Sequence, residues 1–492
     1  MTRFVDLREL IKSMRKKQTK IVATISDRRC DPEFLREMHD GGVDVMRLNT
    51  AHQTPKETLM VINNIRKVSD RIGIIVDTKG PEVRTTKTED DILYKKGEVF
   101  KMAGTSEAII SKKEMVYVNY AGFHKDVPVG SGIFIDDGKM ELKAIKKMKN
   151  YLVCEVMNDG VIKSNKSVNV PGVHIDFPTL NAKDKEYIDF SIKHGVDFIA
   201  HSFIRNKEDV MAIQKILDKH KSKIKIIAKI ENHEGVENLD EILDHVHGVM
   251  VARGDLGIEM AAEDIPLVQK EMVKKCIARR KAVIVATQML QSMVKNPRPT
   301  RAEVSDVANA VFDGADAVML SEESAGGDYP VEAVHVMAKI VRKVEMNTET
   351  REYAPLHKDE NVFASYLAKA AVKASRELDI KEIVVCTASG FSASVIASYR
   401  GRVPVYVKCF DKRVAREMSL TYGVNAHYVE KNNDHKKFMK GLFGALVKKG
   451  KFDLDDKVIY LAGDTNEEGE SNFMEICEVG KYVKHEITKK KK

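Results

Sequence analysis

Tryptophan is absent from the 492 residues, and aromatic residues together make up only 6% of them. A surface that stacks nucleobases on rings is therefore not written into this chain. No long block of one charge sign precedes the terminal "KKKK", and a net charge of +8 is spread along the length. That balance suits the handling of small anions and argues against a nucleic-acid partner. No apolar run reaches the roughly 18 residues that a membrane span needs. The start of the chain is charged, without the apolar stretch of a secretion signal. Six cysteines (Cys30, Cys154, Cys276, Cys386, Cys409 and Cys477) stand far apart, with no C-x-x-C pair. Their spacing offers neither a disulfide framework nor a zinc site and fits a reducing cytosol. The composition implies a soluble, cytoplasmic globular protein of about two to four domains.

Short β-rich runs recur, each ending in a polar residue. They are "KIVATIS" from Lys20, "VDVMRLN" from Val43, "IGIIVDT" from Ile72, "VDFIAHS" from Val196, "IKIIAKIE" from Ile224, "GVMVARGD" from Gly248, "AVIVATQ" from Ala282 and "ADAVMLSE" from Ala315. Helical stretches separate most of them. Two of these open on S/T-x-x-E capping boxes, at Thr54 to Glu57 and Thr300 to Glu303, the first with Pro55 at the first helical position. Strands alternating with helices imply a parallel sheet, and eight units match the count of a (β/α)8 TIM barrel. An open doubly wound sheet is the alternative.

The interval from Asp77 to Val196 breaks this rhythm. It contains alternating segments punctuated by glycine, such as "EVFKMAG", "SGIFIDDGK" and "YLVCEVMNDG". It reads as a small β-barrel domain inserted after strand three, at the barrel mouth where active sites form. The expected division is barrel over 1–82, inserted lid over 83–177, barrel again over 178–347, and a separate C-terminal α/β domain over 348–492. In that last domain the strands "EIVVCT", "VPVYVKCF" and "KVIYLAG" flank the turn "ASGFSAS". The turn reads either as an ordinary tight turn or as a phosphate-holding helix start.

"KIENHEG", from Lys229, sets Lys229 and Glu231 on one face of a strand end, since residues two apart point the same way. Burying both charges is costly unless they pair or bind something. Arg47 and Asn49, Asp77 and Thr78, Ser202, Asp255, Thr287 and Ser321 end the other strands and would converge with them. Two carboxylates, Glu231 and Asp255, suit Mg²⁺, which leaves its other positions to water and substrate oxygens. Lys229 and Arg47 supply charge for a phosphate or carboxylate, and Thr287 a hydroxyl. Such a set suits phosphoryl transfer, and without a Walker A sequence it is no P-loop enzyme.

The motifs "KIVATIS", "MRLNTAH", "DTKGPEVR", "IDDG", "SVNVPG", "SFIR", "KIEN", "ARGDLGIE", "ATQMLQSM" and "NPRPTRAEVSDVANAVFDGADAVMLS" resemble pyruvate kinase, in order from about residue 19 to 335. The resemblance implies transfer of the phosphoryl group of phosphoenolpyruvate to ADP, giving pyruvate and ATP at the last step of glycolysis. Glu231 and Asp255 would hold Mg²⁺ (or Mn²⁺), and Arg47 and Lys229 would grip and neutralise the phosphoryl group. Thr287 and Ser321 would belong to the proton-transfer region, and the backbone at Gly254 and Asp255 would take the substrate carboxylate. Asn49, His52, Arg84 and Lys166 would face the nucleotide, and Asn49, Asp77 and Thr78 would help hold K⁺. The resemblance also implies a homotetramer. Departures fall at Ser26-Asp27-Arg28, where the family usually reads G-P-A; at Ala51, where a K⁺-ligating serine is usual; and at Ser321-Glu322-Glu323-Ser324, in place of S-G-E-T. Thr78 and Glu82 match K⁺-dependent members. A Mg²⁺-dependent 2-oxo acid lyase on the same barrel, or a catalytically weak regulatory relative, are the alternatives. In the C-terminal domain Thr387, Ser389 and Ser392 resemble an effector loop. Phe391 takes the place of a basic residue there, and the acidic loop "GDTNEEGES" follows from Gly463.

Overall fold

The computed structural model describes residues 17–348, 362–431, 435–462 and 472–487. The acidic loop from Gly463 and the terminal lysine run lie outside these residues. Three strands come first: β1 Lys20–Thr24, β2 Val45–Asn49 and β3 Gly73–Thr78. The inserted segment follows, with β4 Ile92–Tyr94, β5 Val99–Gly104, β6 Met115–Val118, β7 Gly132–Ile135, β8 Met140–Lys147, β9 Leu152–Val156, β10 Gly160–Ile162 and β11 Val168–Asn169. Five more strands resume the first pattern: β12 Phe198–His201, β13 Lys225–Ile230, β14 Gly248–Ala252, β15 Ala282–Ala286 and β16 Ala317–Leu320. These and the first three close into an eight-stranded parallel barrel, β16 pairing with β1. The open-sheet alternative is thereby excluded.

Both capping boxes form, Thr54 with Glu57 and Thr300 with Glu303, each satisfying backbone donors that a helix start leaves unpaired. Alternation sorts the barrel strands. Ile74 and Val76 of β3 join the layer between strands and helices. Val22, Val45, Ile75, Phe198 and Ile227 fill the bore. In the lid, β11-β7-β8-β9-β5-β6 form one sheet and β10-β4 a second, around their own core of Phe100, Met102, Leu142 and Leu152.

The C-terminal strands are β17 Ile380–Thr387, β18 Val405–Cys409, β19 Val424–Tyr428, β20 Lys457–Ala462 and β21 Phe473–Glu478, in the order β19-β18-β17-β20-β21. Sequence patterning found three of these. It missed β19, which reads "VNAHY" and buries little beyond Val424, and the edge strand β21, which leaves no residue fully buried. This domain seals the barrel floor. Leu420 joins the bore cluster, and Gly73 permits the approach, because a Cβ there would meet Ser419 Oγ at 2.3 Å. Arg416 pairs with buried Asp197 at 2.6 Å and Arg400 with buried Asp316 at 2.8 Å.

Candidate active site

Period two carries the bore pattern up to the mouth. Above Val45, Ile75 and Ile227, the next inward positions on β2, β3 and β13 are Arg47, Asp77 and Lys229. All three are buried, as is Glu231, the next inward position after Lys229. Arg47 Nε donates to Asp77 Oδ2 at 2.6 Å, and its Nη1 donates to Thr24 Oγ1 at 2.9 Å. Lys229 Nζ lies 3.4 Å from Asp77 Oδ1 and 2.8 Å from Glu231 Oε1, and donates to Ser202 Oγ. Burial alone would lower the Lys229 pKa. The charges of Asp77 and Glu231 outweigh that and hold the ammonium above its ordinary value. Burial would likewise raise Asp77, but Arg47 and Lys229 keep its carboxyl below the usual range.

Asp255 lies in the helix Arg253–Glu259, directly after β14. Burial, then the nearby charge of Glu231, pushes its pKa up to about 8. Two carboxylates crowded in this way form a donor pair with charge to spare for a divalent cation. Glu231 also accepts the Phe203 N–H at 2.8 Å, which fixes its orientation. Among the described residues there is no cluster of three or more His, Cys, Asp or Glu that could hold a metal ion.

Thr287 follows β15, its hydroxyl accepting the Gly254 N–H at 2.8 Å and donating to Ala286 O at 2.6 Å. Of the backbone donors expected for a substrate carboxylate, the one on Gly254 is thus engaged by Thr287. Ser321 follows β16, its N–H donating to Glu323 Oε2 at 2.7 Å, while Glu323 Oε1 accepts the Leu290 N–H at 3.0 Å. Sequence reasoning assigned no role to Glu323, Thr24 or Arg253, although "ARGDLGIE" contains the last.

The expected K⁺ and nucleotide residues divide. Asn49 and Asp77 are register partners on β2 and β3. Thr78 points the other way: its hydroxyl meets His201 Nδ1 at 2.6 Å, behind the strands, so only its carbonyl faces the mouth, where it accepts from Ser202 Oγ at 3.0 Å. An oxygen from Thr78 at the mouth would therefore be its carbonyl. Ala51 is exposed, and the Thr50 hydroxyl is committed to Asp77 O at 2.8 Å. Asn49 and His52 stand on the barrel side. Arg84 and Lys166 stand on the stalk of the lid, where Arg84 bridges to Ser167. Arg84 pairs with Glu82 at 2.7 Å and Lys166 with Asp136 at 2.8 Å.

Clustered cations beside paired carboxylates, at the C-terminal mouth of a barrel with no P-loop, mark a phosphotransferase of the TIM-barrel kind. Comparison with known proteins is specific. The family model "Pyruvate kinase, barrel domain" matches residues 16–334, and "Pyruvate kinase, alpha/beta domain" matches 365–477. A pyruvate kinase from Borreliella burgdorferi is 44% identical over 473 residues, covering 95% of this chain and 98% of that protein. One from Bacillus licheniformis is 41% identical over 487 residues, covering 95% and 81%. The crystal structure of a pyruvate kinase from Cryptosporidium parvum superposes with a TM-score of 0.87 at 31% identity, covering 96% of this chain and 100% of that one. The chain belongs to the pyruvate kinase family.

Proposed function

We propose that the protein transfers the phosphoryl group of phosphoenolpyruvate to ADP, giving pyruvate and ATP, the last step of glycolysis. The observation that carries this reading is the charge chain Arg47–Asp77–Lys229–Glu231 with Asp255 beside it. The Arg47 guanidinium and the Lys229 ammonium bind the phosphoryl oxygens and offset the charge that grows on the enolate oxygen as the P–O bond breaks. Asp77 holds both cations in place, so little reorganisation is needed at the moment of transfer. Glu231 and Asp255 fit Mg²⁺ or Mn²⁺, which when bound supplies further positive charge against the phosphoryl oxygens. Asn49, Asp77 and the Thr78 carbonyl fit K⁺ with few oxygens to spare. With the Gly254 N–H engaged by Thr287, the Asp255 backbone would meet the substrate carboxylate, and Asn49, His52, Arg84 and Lys166 the nucleotide. Thr287 and Ser321 would belong to the region that protonates the enolate.

We assign the protein to the cytoplasm; none of the described helices is long and apolar enough to cross a membrane. A homotetramer is the assembly that membership of the family implies, and Phe363 at 75% exposure and Tyr366 at 57% are apolar side chains that a partner could cover. The test is a coupled assay with phosphoenolpyruvate, ADP, Mg²⁺ and K⁺. Pyruvate and ATP should form together, in equal amounts. Binding without turnover, or cleavage of a 2-oxo acid instead, would overturn the reading.

A further inference from the structure

Thr287 and the next residue, Gln288, both sit in the left-handed region, with φ of 69° and 53°. A β-branched side chain is crowded there by its own backbone, so such a turn persists only where its surroundings hold it. The holder is Arg253. Its largely buried guanidinium donates to Thr287 O at 2.7 Å through Nη2 and to Ala286 O at 3.3 Å through Nε. Through Nη1 it reaches Asp306 Oδ1 at 2.6 Å and Gln269 Oε1 at 3.4 Å. Asp306 lies on the helix Arg301–Asp313, so the clamp is anchored on a second element. The neighbouring Gly254 N–H holds the Thr287 hydroxyl at 2.8 Å. Consecutive residues therefore fix both the carbonyl and the hydroxyl of one strained threonine. A planar fork with several donors can span two successive carbonyls and a carboxylate, and an ammonium cannot reproduce that geometry.

We propose that Arg253 is a positioning residue for the proton-transfer half of the reaction. It clamps the Thr287 turn so that the hydroxyl stands within reach of C3 of the enolate left by phosphoryl transfer. The enolate electron pair re-forms the C2=O bond, C3 takes the proton of the Thr287 hydroxyl as that proton leaves its bond to Ala286 O, and solvent water returns one to the threonine oxygen. The proposal rests on the reading of Thr287 given above. It assigns Arg253 no contact with substrate, so the clamp acts on turnover and not on binding.

The experiment compares Arg253→Met, Thr287→Ala and the double variant in the full-length protein. Two quantities are read: steady-state kinetics with phosphoenolpyruvate and ADP, and the exchange of pyruvate methyl protons for deuterium in D₂O with Mg²⁺, K⁺ and ATP. Misplacing a reacting group by a fraction of an ångström costs about tenfold or more in rate. R253M should therefore lower kcat and exchange by about that factor, with the KM for phosphoenolpyruvate and the Mg²⁺ requirement unchanged. In the T287A background the same substitution should cost little, since its effect has already been removed. Normal exchange in R253M overturns the clamp, as does an equal loss in both backgrounds, or a raised KM at unchanged kcat. Normal exchange in T287A alone sinks the Thr287 reading and the clamp with it. If R253M fails to fold, Asp306→Asn, which keeps an accepting oxygen, carries the same test: a smaller fall in exchange at unchanged KM supports the clamp, and unchanged exchange overturns it.

Discussion

Lys229 serves two ends with opposite costs. As a buried ammonium it is stabilised only because Asp77 and Glu231 stand within 3.4 and 2.8 Å. As a charge facing the mouth, it offsets the transferring phosphoryl group and the enolate. Lys229→Met should lower turnover with phosphoenolpyruvate by roughly 10²-fold or more, the loss expected when one preorganised charge worth ~3 kcal/mol is removed. Arg47 still covers Asp77, so the folded state should survive. Near-normal turnover would reduce Lys229 to a structural ion-pair member. Glu231→Gln and Asp255→Asn each replace a carboxylate by a neutral oxygen, so both should raise the Mg²⁺ concentration needed for half-maximal activity. Mg²⁺ titrations matching the parent in both variants would show the metal to sit elsewhere. These residues were legible because a strand's period of two put Lys229 and Glu231 on one face. Thr24 was not, because a hydroxyl in the strand "KIVAT" carries no sign that an arginine from β2 will reach it. The left-handed Thr287 was equally silent, since neither threonine nor glutamine favours that conformation and tertiary contacts impose it.

Eight strands could be read from apolar runs because a barrel strand is buried on both sides and cannot hide among polar residues. The direction of a strand-end side chain was harder. Asp77 and Thr78 both looked like mouth residues, yet alternation sends only Asp77 inward and turns the Thr78 hydroxyl toward His201. The loop after β2 carries a consequence for K⁺. Ala51 brings no hydroxyl, and Thr50 is occupied at Asp77 O. K⁺ should therefore activate with weak apparent affinity, and Ala51→Ser should tighten it by adding an oxygen on the exposed side of Asn49. Initial rates across a K⁺ series will decide: full activity without K⁺, unchanged by the substitution, would count against the site.

The three bodies of the molecule are tied unequally, and no local pattern announced how. The lid hangs from the end of β3 and returns before β12. The C-terminal domain plugs the barrel floor with Leu420 and locks two arginines onto Asp197 and Asp316. These partners are far apart in the chain and became visible only once the barrel had closed. Leu420→Ala leaves a hole in a fully buried site and should cost about 2–5 kcal/mol. Because that hole opens into the bore, hydrogen exchange should quicken in β2 and β3 as well as in β18. Quickening confined to the C-terminal domain would show that the plug does not couple the two.

The same domain bears on regulation. Members of the family that respond to sugar phosphates are expected to use the loop that here contains Thr387, Ser389 and Ser392. A phosphate there needs free backbone N–H groups and a cation. The Gly390 N–H is instead taken by Thr387 Oγ1 at 2.9 Å, and the Phe391 N–H by Ser389 Oγ at 3.3 Å. Phe391 replaces the basic residue and turns its ring to Arg280, whose guanidinium lies 5.1 Å from the ring centre on the barrel side. Two of the loop's backbone donors are thus satisfied internally. Fructose 1,6-bisphosphate should activate little or not at all. The measurement is the KM for phosphoenolpyruvate with and without the sugar bisphosphate, and a severalfold fall on adding it would mean that the loop opens to a phosphate despite these bonds.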